Sequence, residues 1–287
     1  MNIESYYRKY PILVKRLSTN KDFKYRYYKN PEARVTLVLL TGGIGLSDLF
    51  YLHFERFTKD FSVITFDYQT QFSNHTEFAG AVAELLQTLN EKVWLVGQSL
   101  GGIVAQIIAR SHPGAVNGLV LSNTCSLAED MGDEAYTQLM EMIKRQKKAK
   151  KTLSFIPFPL YKHFVKYAVM KKRVNGFTDQ EKALMESLCN TMLKLLTKQY
   201  EYHMIDFLVD IQNHFGMTPK DFQHWNDKVL LILSEDDATF NQACKDSLTA
   251  IMPNPTVITD ITGGHLALII KLDKYTDTVT NYILSRT

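Results

Sequence analysis

The segment that most narrows the folds open to this chain is Val93-Trp94-Leu95-Val96 followed by Gly97-Gln98-Ser99-Leu100-Gly101. The apolar run reads as a buried strand, and Gly102 to Arg110 reads as a helix. G-x-S-x-G at a strand-to-helix junction forms a strained turn that lifts one serine hydroxyl out of the backbone. The glycines have a steric reason, because such a turn brings two backbone segments together and leaves no room for Cβ atoms. A serine in an ordinary turn would not need them, so Ser99 reads as a nucleophile.

Strand and helix patterns alternate through the first half. Pro11 to Leu17, Lys21 to Lys29, Val35 to Leu40, Phe61 to Phe66, Val93 to Val96 and Leu119 to Leu121 read as strands. His75 to Leu89 places Phe78, Val82, Leu85, Leu86 and Leu89 on one helical face. This order implies a parallel sheet with helices on both sides. From 126 to 221 the strand pattern stops, and Glu134 to Lys150, Leu160 to Arg173, Thr178 to Leu196 and Tyr200 to His214 read as helices. Strands resume at Val229 to Leu233 and Thr256 to Ile261, with helices at Asn241 to Ile251 and His265 to Leu284. The expected organisation is an α/β core from 1–125 and 222–287, interrupted by an all-helical insertion at 126–221.

A serine hydroxyl needs a base to take its proton and an acid to orient the base. His265 is the base candidate, since it follows Gly263-Gly264 just after the last strand. Asp237 is the acid candidate, just beyond the strand ending at Leu233, with its neighbour Asp236 as the alternative. All three then lie at C-terminal ends of parallel strands, where open α/β sheets place ligands. His203, His214 and His224 fall in or beside the insertion, where solvent exposure is the expectation. Thr41-Gly42-Gly43-Ile44-Gly45 follows the strand at Val35 to Leu40. Its Gly43 N–H and the Leu100 N–H are the expected oxyanion donors. No phosphate-loop or dinucleotide pattern competes for these glycines.

On these segments the chain resembles the α/β-hydrolase fold superfamily over nearly its whole length. The resemblance implies a mostly parallel eight-stranded sheet, Ser99 as nucleophile, Asp237 as acid, His265 as base, Gly43 and Leu100 as oxyanion donors, and a helical cap at 126–221. The family commonly has His-Gly where this chain has Thr41-Gly42. Segments Val63 to Tyr68 and Gly97 to Gln106 also look like maspardin, a non-catalytic protein of this fold. Maspardin lacks the late histidine that stands here as His265. Serine at 99, where dehalogenases and epoxide hydrolases of the fold carry aspartate, argues against those two chemistries.

The expected activity is hydrolysis of a carboxylic ester or thioester with an apolar acyl part, through an acyl-enzyme. The alternatives are a retired hydrolase scaffold acting as a binding or adaptor protein, and a triad enzyme acting on peptide or C–C bonds. No metal or organic cofactor is implied. A net charge of +3 is too small to imply nucleic acid, yet Lys144 to Arg173 carries eleven Lys or Arg and no Asp or Glu. That stretch is a candidate surface for anionic lipid or an acidic partner. Cys125, Cys189 and Cys244 have no metal or redox spacing and fit a reducing compartment. With no apolar run near the roughly 18 residues of a membrane span and no secretory pattern at the N-terminus, a cytoplasmic protein is expected.

Overall fold

In the structure, a computed structural model, residues 2–89, 91–172 and 177–287 are described. The elements run α1 (Ile3–Lys9), β1 (Ile12–Arg16), β2 (Asp22–Tyr28), β3 (Val35–Leu40), α2 (Tyr51–Phe57), β4 (Ser62–Thr65), α3 (His75–Leu86), β5 (Lys92–Gln98), α4 (Leu100–Ser111) and β6 (Gly118–Ser122). Four long helices follow: α5 (Asp133–Phe155), α6 (Phe158–Lys172), α7 (Asp179–Leu195) and α8 (Lys198–Asp210). The chain then forms α9 (Pro219–Phe222), β7 (Val229–Ile232), α10 (Gln242–Ile251), β8 (Thr256–Ile258), α11 (Ala267–Ile270) and α12 (Leu272–Leu284).

The eight strands form one sheet in the order β1-β2-β4-β3-β5-β6-β7-β8. β1 and β2 are antiparallel, β2 joins β4 antiparallel, and every pairing from β4 to β8 is parallel. Continuous apolar runs become strands here because both faces are covered. Alternate side chains divide between two cores. Val38, Leu40, Val93, Leu95 and Leu231 join Phe78, Val82, Ile103 and Ile107 on the side of α3 and α4. Leu37, Leu39, Trp94, Val96, Leu230 and Ile232 join Tyr6, Phe54, Phe57, Tyr275 and Val279 on the side of α1, α2 and α12.

Between β6 and β7 the described residues contain helices and one isolated bridge, Ala128 to Met217. α5 runs five residues beyond the expected Lys150, to Phe155, because nothing stops it before Pro157. The expected end of the next helix, Arg173, lies outside the described residues. The helix expected over His265 to Leu284 is broken: Gly264–Leu266 forms a 3₁₀ turn, α11 ends at Ile270, and Lys271 at φ −104° and ψ 43° leaves the helical region before α12. Among the described residues no helix is long and apolar enough to cross a membrane.

Candidate active site

Ser99 joins β5 to α4 at φ 54°, ψ −120°. Positive φ is costly for a residue with a Cβ and persists only where the surroundings enforce it. Its N–H donates to Ser122 O at 3.0 Å, and Thr124 Oγ1 donates to Ser99 O at 2.7 Å. A Cβ on Gly97 would run into the Gly101 backbone, and one on Gly101 into the Leu40 backbone. The turn read from the G-x-S-x-G pattern is thus formed, with glycine where the two backbones touch.

Asp237 and His265 meet across two loops. His265 Nδ1 lies 3.0 Å from Asp237 Oδ2, and the Asp237 side chain is wholly buried. Asp237 Oδ1 accepts the Thr239 N–H at 2.7 Å. Asp236 does a different job. It is exposed, and its carboxylate accepts the Gly263 N–H at 2.8 Å, holding the loop that carries His265.

Three side chains missed in the sequence reading fix these loops. Asn123 Nδ2 donates to Ser234 Oγ at 2.9 Å and to Gly264 O at 3.1 Å, while its Oδ1 accepts the Ser234 N–H at 2.8 Å. One amide therefore ties the end of β6 to both the Asp237 and the His265 loops. Lys245 Nζ donates to Ser234 O at 2.7 Å. His53, buried on α2, contacts Leu268 O through Nε2 at 3.1 Å and so anchors the helix behind His265. The available signal was a polar residue directly after an apolar strand for Asn123, and nothing beyond position for the other two.

Ser99 and His265 stand at the same end of the sheet, yet among the described residues no hydrogen bond joins Ser99 Oγ to the imidazole. Gln98 Nε2 lies 3.2 Å from His265 Nε2 and 3.2 Å from His265 O. With its Nδ1–H given to Asp237, the imidazole presents a lone pair at Nε2, and the Gln98 amide is the donor. A Cβ on Gly42 would come within 2.5 Å of Gln98 Oε1 and 3.5 Å of Ser99 Cβ. Gly42, Gln98, Ser99 and His265 therefore form one cluster.

The loop 41–45 is a tight turn. Gly45 donates to Gly42 O at 2.9 Å, and Tyr68 OH donates to Thr41 O at 2.6 Å. This leaves the Gly43 and Leu100 N–H groups without a main-chain acceptor among the described residues. α8 roofs the loop, since a Cβ on Gly43 would lie 3.7 Å from Leu208, and one on Gly45 would meet Met204 Sδ at 2.5 Å.

A second ionisable cluster links α8 to α3. His75 Nδ1 lies 2.9 Å and His214 Nε2 3.2 Å from Asp210 Oδ2. His214 is thus drawn inward rather than exposed as expected, and His203 is also half-buried; His224 is exposed. The ligating atoms of His75, Asp210 and His214 lie within 4.8 Å of one another, a metal-compatible spacing. The His75 main-chain N–H also donates to Oδ2 at 2.8 Å, so the oxygen is already surrounded by donors and the cluster works as a latch. Burial opposes ionisation of Asp210, but the hydrogen bonds from His214 and His75 outweigh it and hold the carboxyl well below its usual range. The three cysteines are buried, and burial pushes their thiols up, which disfavours thiolate chemistry.

Burial pushes His53 down to about 4, against its contact with Leu268 O. Its Nδ1 has no partner among the described residues, so a proton there would be buried and unpaired. Between pH 6.5 and 4 the unfolded chain binds more protons at His53 than the folded one, so its contribution to stability falls as pH falls. Wild type should therefore lose about 3 kcal/mol relative to His53→Gln between pH 7 and pH 4. Urea titrations of both proteins at the two pH values measure this, and parallel pH profiles would show that His53 is not buried neutral.

The sheet order, the strained serine and the buried acid–imidazole pair define the class as an α/β hydrolase fold. A family profile described as alpha/beta hydrolase fold matches residues 35–272, and the chain belongs to that family. A curated Agrobacterium fabrum protein, provisionally named carbamate hydrolase RutD, is 28% identical over 125 residues, 40% of this chain. The match spans 48% of that relative, about half its length. Among solved structures, MenH from S. aureus superposes with a TM-score of 0.72 at 20% identity, covering 91% of this chain and 98% of that one. A thermophilic esterase from Thermogutta terrifontis gives 0.71 at 15% identity, covering 96% and 98%. At these identities the likeness shows the fold.

Proposed function

We propose that the protein is a serine hydrolase that cleaves a carboxylic ester, or a thioester, with an apolar acyl group. The observation that carries this reading is an imidazole oriented by a fully buried carboxylate, at the sheet edge that also presents a strained serine. Ser99 Oγ attacks the substrate carbonyl while its proton passes to His265 Nε2. The Gly43 and Leu100 N–H groups receive the oxyanion, aided by the N-terminal dipole of α4. His265 then gives the proton to the departing alkoxide or thiolate, leaving an ester on Ser99. Water attacks the acyl carbon as His265 takes its proton, and the imidazolium returns that proton to Ser99 Oγ as the acid leaves. For the first transfer Ser99 Oγ takes the place that the Gln98 amide holds at Nε2, a tightening common on substrate binding.

Residues 126–221 serve in this reading as a cap over a core of 1–125 and 222–287. In this reading Leu208 and Met204, which pack over the oxyanion loop, supply the apolar surface that meets the acyl group. The Gln98–His265 contact favours a second reading, a retired scaffold that binds without turning over. A fluorophosphonate probe and a panel of aryl esters, thioesters, carbamates and amino-acid arylamides decide between them. Wild type should label and turn over an ester fastest, and Ser99→Ala should do neither. A well-folded wild type that resists the probe and the whole panel would support the retired scaffold.

A further inference from the structure

The turn between α5 and α6 presents apolar and cationic side chains together. Phe155, at the end of α5, is 87% exposed. Lys144, Lys148, Lys151 and Phe155 follow one another at spacings of four, three and four, which aligns them along one helix face. All four are exposed, and none of the three lysines has a carboxylate partner among the described residues. On α6, Leu160, Phe164 and Tyr167 follow at spacings of four and three and are 47%, 51% and 55% exposed. A lysine stripe and an apolar stripe therefore both run from one turn, closed by Pro157 O, which accepts the Leu160 N–H at 3.0 Å.

Solvating lysines alone do not account for this surface. The cationic faces of ordinary solvent-facing helices are interleaved with acids, and Lys144 to Lys172 contains none. Nor do Phe155 and Phe164 line the interior, since both stand outward while Phe158 and Tyr161 are the half-buried aromatics of this segment. Large apolar side chains beside uncompensated positive charge are the pattern of a helix that lies in a membrane interface, rings among the acyl chains and ammonium groups among the phosphates. A soluble acidic protein would use the lysines but would leave the protruding Phe155 unexplained. Beside the stripe, Lys147, Lys150, Lys151, Tyr202 and Asp206 border a groove of about 480 Å³; Asp206 pairs with Lys150 at 2.5 Å, so Lys151 is the stripe's cation at its rim.

We propose that the α5–α6 turn is a membrane-docking surface specific for anionic lipid, with Phe155 and Phe164 inserted and Lys144, Lys148 and Lys151 facing lipid phosphates. Docking requires no catalysis, so it stands or falls separately from the hydrolase reading.

The experiment is co-sedimentation of the full chain carrying Ser99→Ala, which prevents lipid turnover, with two kinds of vesicle: phosphatidylcholine alone, and phosphatidylcholine mixed equally with phosphatidylglycerol. Partition should be at least about tenfold stronger on the anionic vesicles and should weaken with salt, each ammonium near the surface contributing about fivefold. Lys148→Glu/Lys151→Glu should abolish the preference for anionic vesicles. Phe155→Ser/Phe164→Ser should lower partition about 100-fold at an unchanged melting temperature, since both rings are exposed in the free protein. Equal partition on the two vesicles, or wild-type partition by either double variant, would overturn the proposal. So would poly-glutamate binding without vesicle binding, which would assign the surface to an acidic protein.

Discussion

Asp237→Asn is expected to lower kcat on a short aryl ester by about 10⁴ while leaving KM and the fold near wild type. The carboxylate now accepts from His265 Nδ1 at 3.0 Å and from the Thr239 N–H at 2.7 Å. In the variant the amide oxygen keeps the bond to Thr239, and the amide N–H turns toward Nδ1. The imidazole must then carry its proton on Nε2, where Ser99 needs a lone pair, so the base is lost with little displacement. Asp236→Asn, one residue away, should cost far less, because Asp236 holds Gly263 and does not touch the imidazole. Steady-state kinetics on both variants, with melting curves to check folding, make the comparison. A loss below tenfold in Asp237→Asn would remove His265 from the role of base.

That contrast also shows what the sequence could convey. The strand–turn–helix setting of Ser99 was legible because its requirement is local: an apolar run, glycines at fixed offsets, then a helix. The pairing of Asp237 rather than Asp236 with His265 was legible only as a preference, since both follow the same strand and the choice depends on how two distant loops meet. Asn123 fixes that meeting, but its partners Ser234 and Gly264 lie more than a hundred positions away. No periodicity encodes such a contact. Gln98 sits inside the most informative motif, yet its contact with His265 depends on the space left at Gly42. His214, expected at the surface, is drawn inward for the same reason: it shares Asp210 Oδ2 with His75 of α3, a partner more than a hundred positions away. The helix expected from His265 onward has no Gly or Pro to interrupt it, and nothing local marks the departure at Lys271.

The largest effect on folding is expected at Gly101. Gly101→Ala places a methyl group 2.6 Å from the Leu40 carbonyl carbon and 2.7 Å from Thr41 O. These are backbone atoms of β3 and the loop after it, so no rotamer change relieves the contact. Either α4 lifts from the sheet, which opens the core around Ile103 and Ile107, or the loop 41–45 moves and the Gly43 N–H with it. Overpacking of a well-packed core costs about 1–3 kcal/mol where side chains can adjust. Here they cannot, so a loss of at least about 3 kcal/mol is expected, a large share of a typical domain's stability. Gly80→Ala is the matched control. Gly80 lies within α3, and among the described residues a Cβ there meets nothing within 4 Å. The same change should stabilise by about 0.5–1 kcal/mol, because alanine restricts the unfolded chain and favours the helix. Urea denaturation of the pair tests both signs. A Gly101→Ala variant as stable as wild type would mean that the elbow and β3 do not touch as the structure places them, and the oxyanion loop would lose its fixed position beside Ser99.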